Sequence, residues 1–336
     1  MIVPWLVLKY APPHQYLPQQ RDKTILSLQI ALSLGAIRIF NSWLSRRSLN
    51  NGLSDKFDWP REIVVVTGGS DGVGKFIVLH LAARAKCQIA ILDIQEPRYT
   101  LPNGAHFYKC DITKVDEIAA AAAQIRSDLG GDPTVLVNNA GILLTNPLLD
   151  SPEKDTRLMF EVNTLSHYWL AQEFLSAMVR RNHGMVVTVA SLAANLTSAH
   201  LTSYSATKAA ALAFHEGLTS ELKTRYDAPR VRTVLVTPAF IKTFLARDLS
   251  PADTFTSRLL APESVAEAIV DQILTGESGY VGIPRTPNIL AWQLRSLPAW
   301  IQNPFRDRLE RFMRRPKQKN PWLDWLIPRL FFNFWF

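Results

Sequence analysis

The chain has 336 residues, 47% of them hydrophobic and 20% charged, with a formal net charge of +8. That length suits one doubly wound α/β domain with extensions rather than two full domains. Its only two cysteines, Cys87 and Cys110, fall beside apolar strand-like runs and read as buried small hydrophobes, so neither a disulfide framework nor a metal site is expected.

The charge is unevenly placed. Residues 1–60 carry seven basic and three acidic side chains (+4), residues 61–284 carry 20 and 23 (−3), and residues 285–336 carry ten and three (+7). The basicity therefore belongs to the flanks. No nucleic-acid-binding motif accompanies it, which excludes nucleic acid as the expected partner, and the neighbouring aliphatic and aromatic residues favour an anionic lipid surface.

In chain order, the first candidate element is the apolar stretch 24–44, with Ile25, Leu26, Ile37, Ile39, Phe40 and Trp43. As a helix it is long enough to cross a bilayer core at about 1.5 Å per residue. Gln29, Arg38 and Asn41 favour instead a helix lying in the interface, or a hairpin with Met1–Leu8. A secretory signal does not fit, because the start lacks a basic region and a Pro-rich stretch, Ala11–Pro18, precedes the apolar run.

Ile63–Thr67 is a β-branched run that fits a buried parallel strand. Gly68-Gly69-Ser70-Asp71-Gly72-Val73-Gly74 follows at once, then a helical pattern over Gly74–Arg84. Strand, glycine loop and helix start together let backbone N–H groups approach a pyrophosphate with no Cβ in the way. Nineteen residues past Gly74, Asp93 closes the next strand, Gln88–Leu92. There an acidic side chain accepts hydrogen bonds from both ribose hydroxyls and repels a 2′-phosphate, which favours NAD over NADP. Arg98, five residues on, keeps NADP open as the alternative should that loop fold back.

Further helices are expected at Val115–Leu129, Pro152–Arg181, Ser203–Tyr226 and Pro262–Leu274, and further strands at Val135–Val137, Met185–Ala190 and Thr233–Thr237. Seven strand-like segments in all alternate with the helical ones. Ser191 ends one of those strands, and Tyr204-Ser205-Ala206-Thr207-Lys208 begins thirteen residues later. On a helix the four-residue step from Tyr204 to Lys208 puts phenol and ammonium on one face. A held cation beside a phenol is the direct way to bring its pKa, near 10 in isolation, toward that of a working general base. Asn195-Leu196-Thr197 matches a glycosylation pattern but lies between Ser191 and Tyr204, so it is discounted.

Over about residues 61–284 these motifs, in this order, resemble the short-chain dehydrogenase/reductase family. The resemblance implies a Rossmann-type seven-stranded parallel sheet with helices on both faces. It makes Thr67, Gly68, Ser70, Asp71, Gly72, Val73 and Gly74 the cofactor loop, and Asp111 with Ile112 the adenine contact. Asn139, Ala140 and Gly141, in an Asn-Asn-Ala-Gly run, would line the cofactor cleft, Pro238 would lie near the nicotinamide, and Thr243 would meet its carboxamide. Pro238 is followed by Ala239, where the family usually has Gly. Asn163, Ser191, Tyr204 and Lys208 match the catalytic tetrad. Ser191 would then hold the substrate oxygen, Tyr204 exchange the hydroxyl proton, Lys208 bind the ribose and acidify Tyr204, and Asn163 hold a relay water. A homodimer through the helices 152–181 and 203–226 is also implied.

The tail contains a basic helix candidate, Arg306–Arg315, and an aromatic run from Trp322 to Phe336 that suits a headgroup region. Its alternative is packing on the catalytic domain or across a dimer. The expected domains are thus a membrane-associating extension (1–60), a catalytic domain (61–284) and a basic, aromatic extension (285–336). This layout looks like the family's membrane- and lipid-droplet-associated branch of retinol and 17β-hydroxysteroid dehydrogenases. That implies a lipophilic alcohol or carbonyl substrate, a lid at Phe240–Ala261, and a place on endoplasmic reticulum or lipid droplet with the catalytic domain facing the cytosol. An NADPH-dependent lipid ketoreductase and a non-catalytic lipid-droplet scaffold are the competing expectations.

Overall fold

A computed structural model describes residues 18–242 and 259–313, with side chains for 23–242 and 259–309. The chain divides into two units at Leu53 and Ser54. The first contains one uninterrupted helix, α1 (Pro18–Leu49). Its apolar side chains stand outward: Leu34, Ile37, Ile39 and Phe40 are each 61–63% exposed. At 100° per residue, Leu26, Leu34, Ile37 and Phe40 share one side, and Leu32, Ile39 and Trp43 another. Only a stripe through Ser27, Arg38, Ser42 and Ser45 is consistently polar. Apolar surface therefore wraps most of the circumference of this helix. By length and composition Lys23–Leu49 is sufficient to cross a membrane.

In the second unit seven parallel strands are ordered β3-β2-β1-β4-β5-β6-β7. They are β1 (Ile63–Thr67), β2 (Gln88–Asp93), β3 (Ala105–Lys109), β4 (Val135–Asn138), β5 (Met185–Val189), β6 (Arg232–Pro238) and β7 (Gly279–Ile283). The sheet is the doubly wound α/β architecture expected. Strands covered on both faces are continuous β-branched runs, and every residue of β1, β4, β5 and β6 is buried.

Alternate side chains feed two apolar cores. Val65, Leu136 and Val186 meet α3 (Val115–Leu129), α5 (Ser166–Arg181) and α6 (Thr202–Thr224) through Ile125, Phe174 and Leu218. Val66, Val137 and Val187 meet α2 (Gly72–Arg84) and α7 (Pro262–Leu274) through Ile77, Leu81 and Ile269. Cys87 and Cys110 lie buried in these cores, and burial pushes both thiols up to about 12.

The helix expected over Pro152–Arg181 forms in three pieces. Between α4 (Glu153–Phe160) and α5 lies a widened turn, Glu161–Leu165, that carries Asn163. Such π-type turns mark places where one residue is accommodated out of the regular ladder, and here that residue turns inward. After β7 the chain continues into α8 (Arg285–Leu294) and α9 (Ala299–Met313) within the same unit as the sheet.

At the opposite end of the strands from the glycine loop, the lead-in segment is clasped to the sheet. His183 Nδ1 lies 2.8 Å from Asp55 Oδ2 and its Nε2 lies 3.2 Å from Glu62 Oε1. Phe57 stacks on Trp59 and meets the His183 ring at a tilt of 40°. Both ring nitrogens face carboxylates, an arrangement only an imidazolium satisfies, and its bond to Glu62 raises the His183 pKa against the cost of burial.

Candidate active site

The functional side chains converge at the carboxyl ends of the strands, where open parallel sheets place their ligands. A cleft of about 530 Å³ is lined by Gly68, Asp71, Gly72, Val73, Asp93, Asp111 and Ile112 toward β2. Toward β5 and β6 the lining is Asn139, Ala140, Gly141, Ser191, Tyr204, Lys208 and Pro238.

Other residues expected here hold the cleft in shape from behind. Thr67 Oγ1 accepts the Asn139 and Ala140 N–H groups, both at 3.0 Å, and the Asn139 amide donates to the Thr67 and Gly68 carbonyl oxygens at 2.9 and 3.3 Å. These bonds fasten the loop after β1 to the loop after β4. The Ser70 N–H donates to Asp93 Oδ2 at 3.0 Å, and the Ser70 hydroxyl donates to the Gln95 carbonyl at 2.6 Å. Thr243 lies outside the described residues, as do Phe244, Leu245, Leu249 and Phe255 of the expected lid, although Phe240 and Ile241 line the cleft.

The glycines show why a flat ligand fits. Gly68 is held at φ +67°, and a Cβ there would lie 2.9 Å from the Ala140 backbone. A Cβ on Gly74 would overlap the Gly68 carbonyl oxygen. Only bare backbone packs this closely at the start of α2, where N–H groups stand ready for an anion. At the far end, burial would raise the Asp111 carboxyl, but hydrogen bonds from Thr113 outweigh it and leave the group below the ordinary carboxylate range.

Lys208 and Ser191 are buried at the reacting end, and Tyr204 is half-buried. Lys208 is 4% exposed, its Nζ donates to the Val189 carbonyl at 3.0 Å, and it has no carboxylate partner among the described residues. Burial brings its ammonium down to about 8. Burial pushes the Tyr204 phenol above its ordinary range, and a hydrogen bond with Ser191 pulls in the opposite direction. Both groups sit in the same low-dielectric pocket, so each pays for its own ionisation. The Ser191 oxygen accepts the Ala193 N–H at 3.1 Å, which fixes its lone pairs relative to the cleft.

Over residues 62–254 the sequence matches the family described as short chain dehydrogenase. The chain belongs to that family. It is an NAD(P)-dependent oxidoreductase acting on CH–OH groups. Dehydrogenase RED2 of Cochliobolus heterostrophus is 47% identical over 223 residues, covering 65% of this chain and 82% of that protein. Human estradiol 17-beta-dehydrogenase 11 is 32% identical over 245 residues, covering 70% and 79% respectively. Among solved structures, a short-chain dehydrogenase from Burkholderia cenocepacia in complex with NADP superposes with a TM-score of 0.60 at 27% identity, over 70% of this chain and 94% of the other.

In this dehydrogenase Asn163 stands behind the cleft wall, fully buried. Its Oδ1 accepts the Ile142 N–H at 2.8 Å, and its Nδ2 donates to the Ile142 carbonyl at 2.9 Å and to Thr207 Oγ1 at 3.1 Å. Both amide hydrogens are thus spent on fixing the segment after Gly141 to α6. Sequence reasoning missed three contributors. Tyr99 donates to the Gly69 carbonyl at 2.8 Å, and Lys75 sits over the Tyr99 ring at 5.3 Å, so the loop after Asp93 does fold back on the glycines, although Asp93 lines the cleft and Arg98 does not. Leu309, from α9, lines the cleft beside residues more than a hundred positions earlier in the chain. No local motif marks any of the three.

Proposed function

We propose that this dehydrogenase is membrane-anchored, prefers NAD, and interconverts a lipophilic alcohol and its carbonyl. The observation that carries this is the lining around Tyr204 and Ser191: Ile142, Leu143, Leu196, Leu201, Phe240 and Leu309 surround the reacting end with apolar surface. A substrate able to use that surface partitions into lipid, and α1 supplies the apolar length to hold the enzyme there. The human relative, estradiol 17-beta-dehydrogenase 11, supports the same substrate class.

A nicotinamide cofactor, when bound, would supply the hydride acceptor or donor. The chain does the rest. In the oxidative direction the Ser191 hydroxyl holds the substrate oxygen, and the Tyr204 oxygen takes its proton. In reduction Tyr204 returns that proton to the oxygen. Lys208, cationic and buried, would bind the cofactor ribose, and its charge would favour the ionised phenol against the burial that raises it. Asn163 is a positioning group for the Ile142 segment and α6. Gly68, Gly72 and Gly74 admit the pyrophosphate, and Asp93 receives the ribose.

The test is NAD reduction against a panel of retinoid, steroid and long-chain alcohols, with full-length protein in anionic phospholipid vesicles and with a chain lacking residues 1–53. Turnover concentrated in the lipophilic alcohols, together with loss of vesicle binding on truncation, is expected. Preference for small polar alcohols would reject the substrate class, and unchanged flotation would reject the anchor.

Cofactor choice has a separate readout. Removing the Asp93 charge with Asp93→Ser is expected to shift the NADP-to-NAD ratio of kcat/KM at least tenfold toward NADP, since a carboxylate facing a 2′-phosphate is repulsive. An unchanged ratio would leave Asp93 without that role. A wild-type enzyme that binds NADPH more tightly would favour the ketoreductase alternative.

A further inference from the structure

Helices α8 and α9 begin after the family match has ended at residue 254, yet α9 reaches the cleft, and α8 packs with it against Leu196. Leu309 lines the cavity that Ser191 and Tyr204 also line. Leu309, Phe305 and Leu192 pack against one buried cluster made of Leu196 with Ala291 and Leu294 of α8. The segment they cover is the one that leaves Ser191.

That segment is also held electrostatically from the same two helices and their connection. Arg295 donates to the Ala194 carbonyl at 2.9 Å and the Asn195 carbonyl at 3.1 Å. Arg306 reaches the Thr197 carbonyl at 3.4 Å and Gln302 Oε1 at 3.2 Å. Gln302 in turn donates to the Leu297 and Arg295 carbonyl oxygens at 2.6 and 3.2 Å. A guanidinium presents its donors in a fixed fork, so two carbonyl oxygens bound by one arginine fix an orientation as well as a distance.

We propose that α9 is the substrate-selecting wall of this enzyme, with Leu309 as the specificity-determining residue and Arg295 as the positioning residue that holds the Leu192–Thr197 segment against it. The proposal rests on the reading of Tyr204 and Ser191 as the reacting centre. A wall built from outside the shared family segment is free to differ between relatives without disturbing the cofactor half, which is how one scaffold acquires a new substrate. Because the contact is apolar, it discriminates by length and bulk rather than by charge.

Secondary alcohols from 2-butanol to 2-dodecanol test this in full-length protein. For Leu309→Trp the ratio of kcat/KM for 2-dodecanol to that for 2-butanol should fall at least tenfold. Arg295→Ala should raise KM for the long alcohols several-fold with NAD affinity unchanged, and Arg295→Lys should recover part of it. A Leu309→Trp enzyme that slows on every alcohol by one factor, or on none, overturns the wall.

A second measurement does not depend on turnover. The native thiols are buried, so a Leu309→Cys variant offers maleimide a single accessible target at the cleft. Labelling should be slowed by NAD with 2-dodecanol, while a Leu297→Cys control, at a 40% exposed position, should be unaffected. Protection without turnover would uphold the wall and reject the proposed hydroxyl chemistry. Equal labelling with and without the alcohol would reject the wall itself.

Discussion

Tyr204→Phe is expected to lower kcat by about 10³-fold, inside the range of roughly 10²–10⁴ that a positioned acid or base contributes. That corresponds to about 4 kcal/mol of barrier. The ring of Tyr204, half-buried, is kept in place, so packing on α6 survives and the affinity for NAD should stay within about twofold of the wild type. Only the proton acceptor is lost. Single-turnover rates paired with a fluorescence titration of NADH separate the two quantities. A variant that keeps wild-type turnover would remove Tyr204 from the chemistry, and one that loses NADH binding would make its role structural.

Gly74→Ala should damage the other half of the cleft. The added Cβ would overlap the Gly68 carbonyl oxygen and come within 2.7 Å of Asn139 Nδ2. Neither neighbour can retreat easily, since Asn139 also bonds the Thr67 carbonyl at 2.9 Å and its N–H is bound by the Thr67 hydroxyl. Overpacking of this kind costs about 1–3 kcal/mol and occasionally more. The expected result is a lower Tm together with NAD binding weakened more than tenfold. Gly217→Ala is the matching control on α6: a Cβ there meets nothing within 4 Å, so that variant should keep its NAD affinity. Equal behaviour of the two variants would show that the loss at Gly74 is not steric.

The motifs were legible because each one is local. Thr67 through Gly74 is a strand, a turn that demands glycine and a helix start in consecutive residues, and the phenol and ammonium of Tyr204 and Lys208 share a face through helical spacing alone. The buried strands announced themselves as β-branched runs. Two strands, Ala105–Lys109 and Gly279–Ile283, were harder to place, because only part of each is buried and their composition is mixed. The break at Glu161–Leu165 was invisible, since a widened turn differs from an α-helix by one hydrogen-bond register and not by composition.

What the sequence determined by itself was the doubly wound sheet, the cofactor loop and the family, because short-range periodicity and glycine stereochemistry are written residue by residue. Tertiary structure alone decided the rest. It tied the Asn163 side chain to Ile142, folded Tyr99 over Gly69, and brought Leu309 and Arg295 to the segment after Ser191. It also set the sign of the Tyr204 shift, since desolvation depends on everything packed around a side chain and not on its neighbours in the chain.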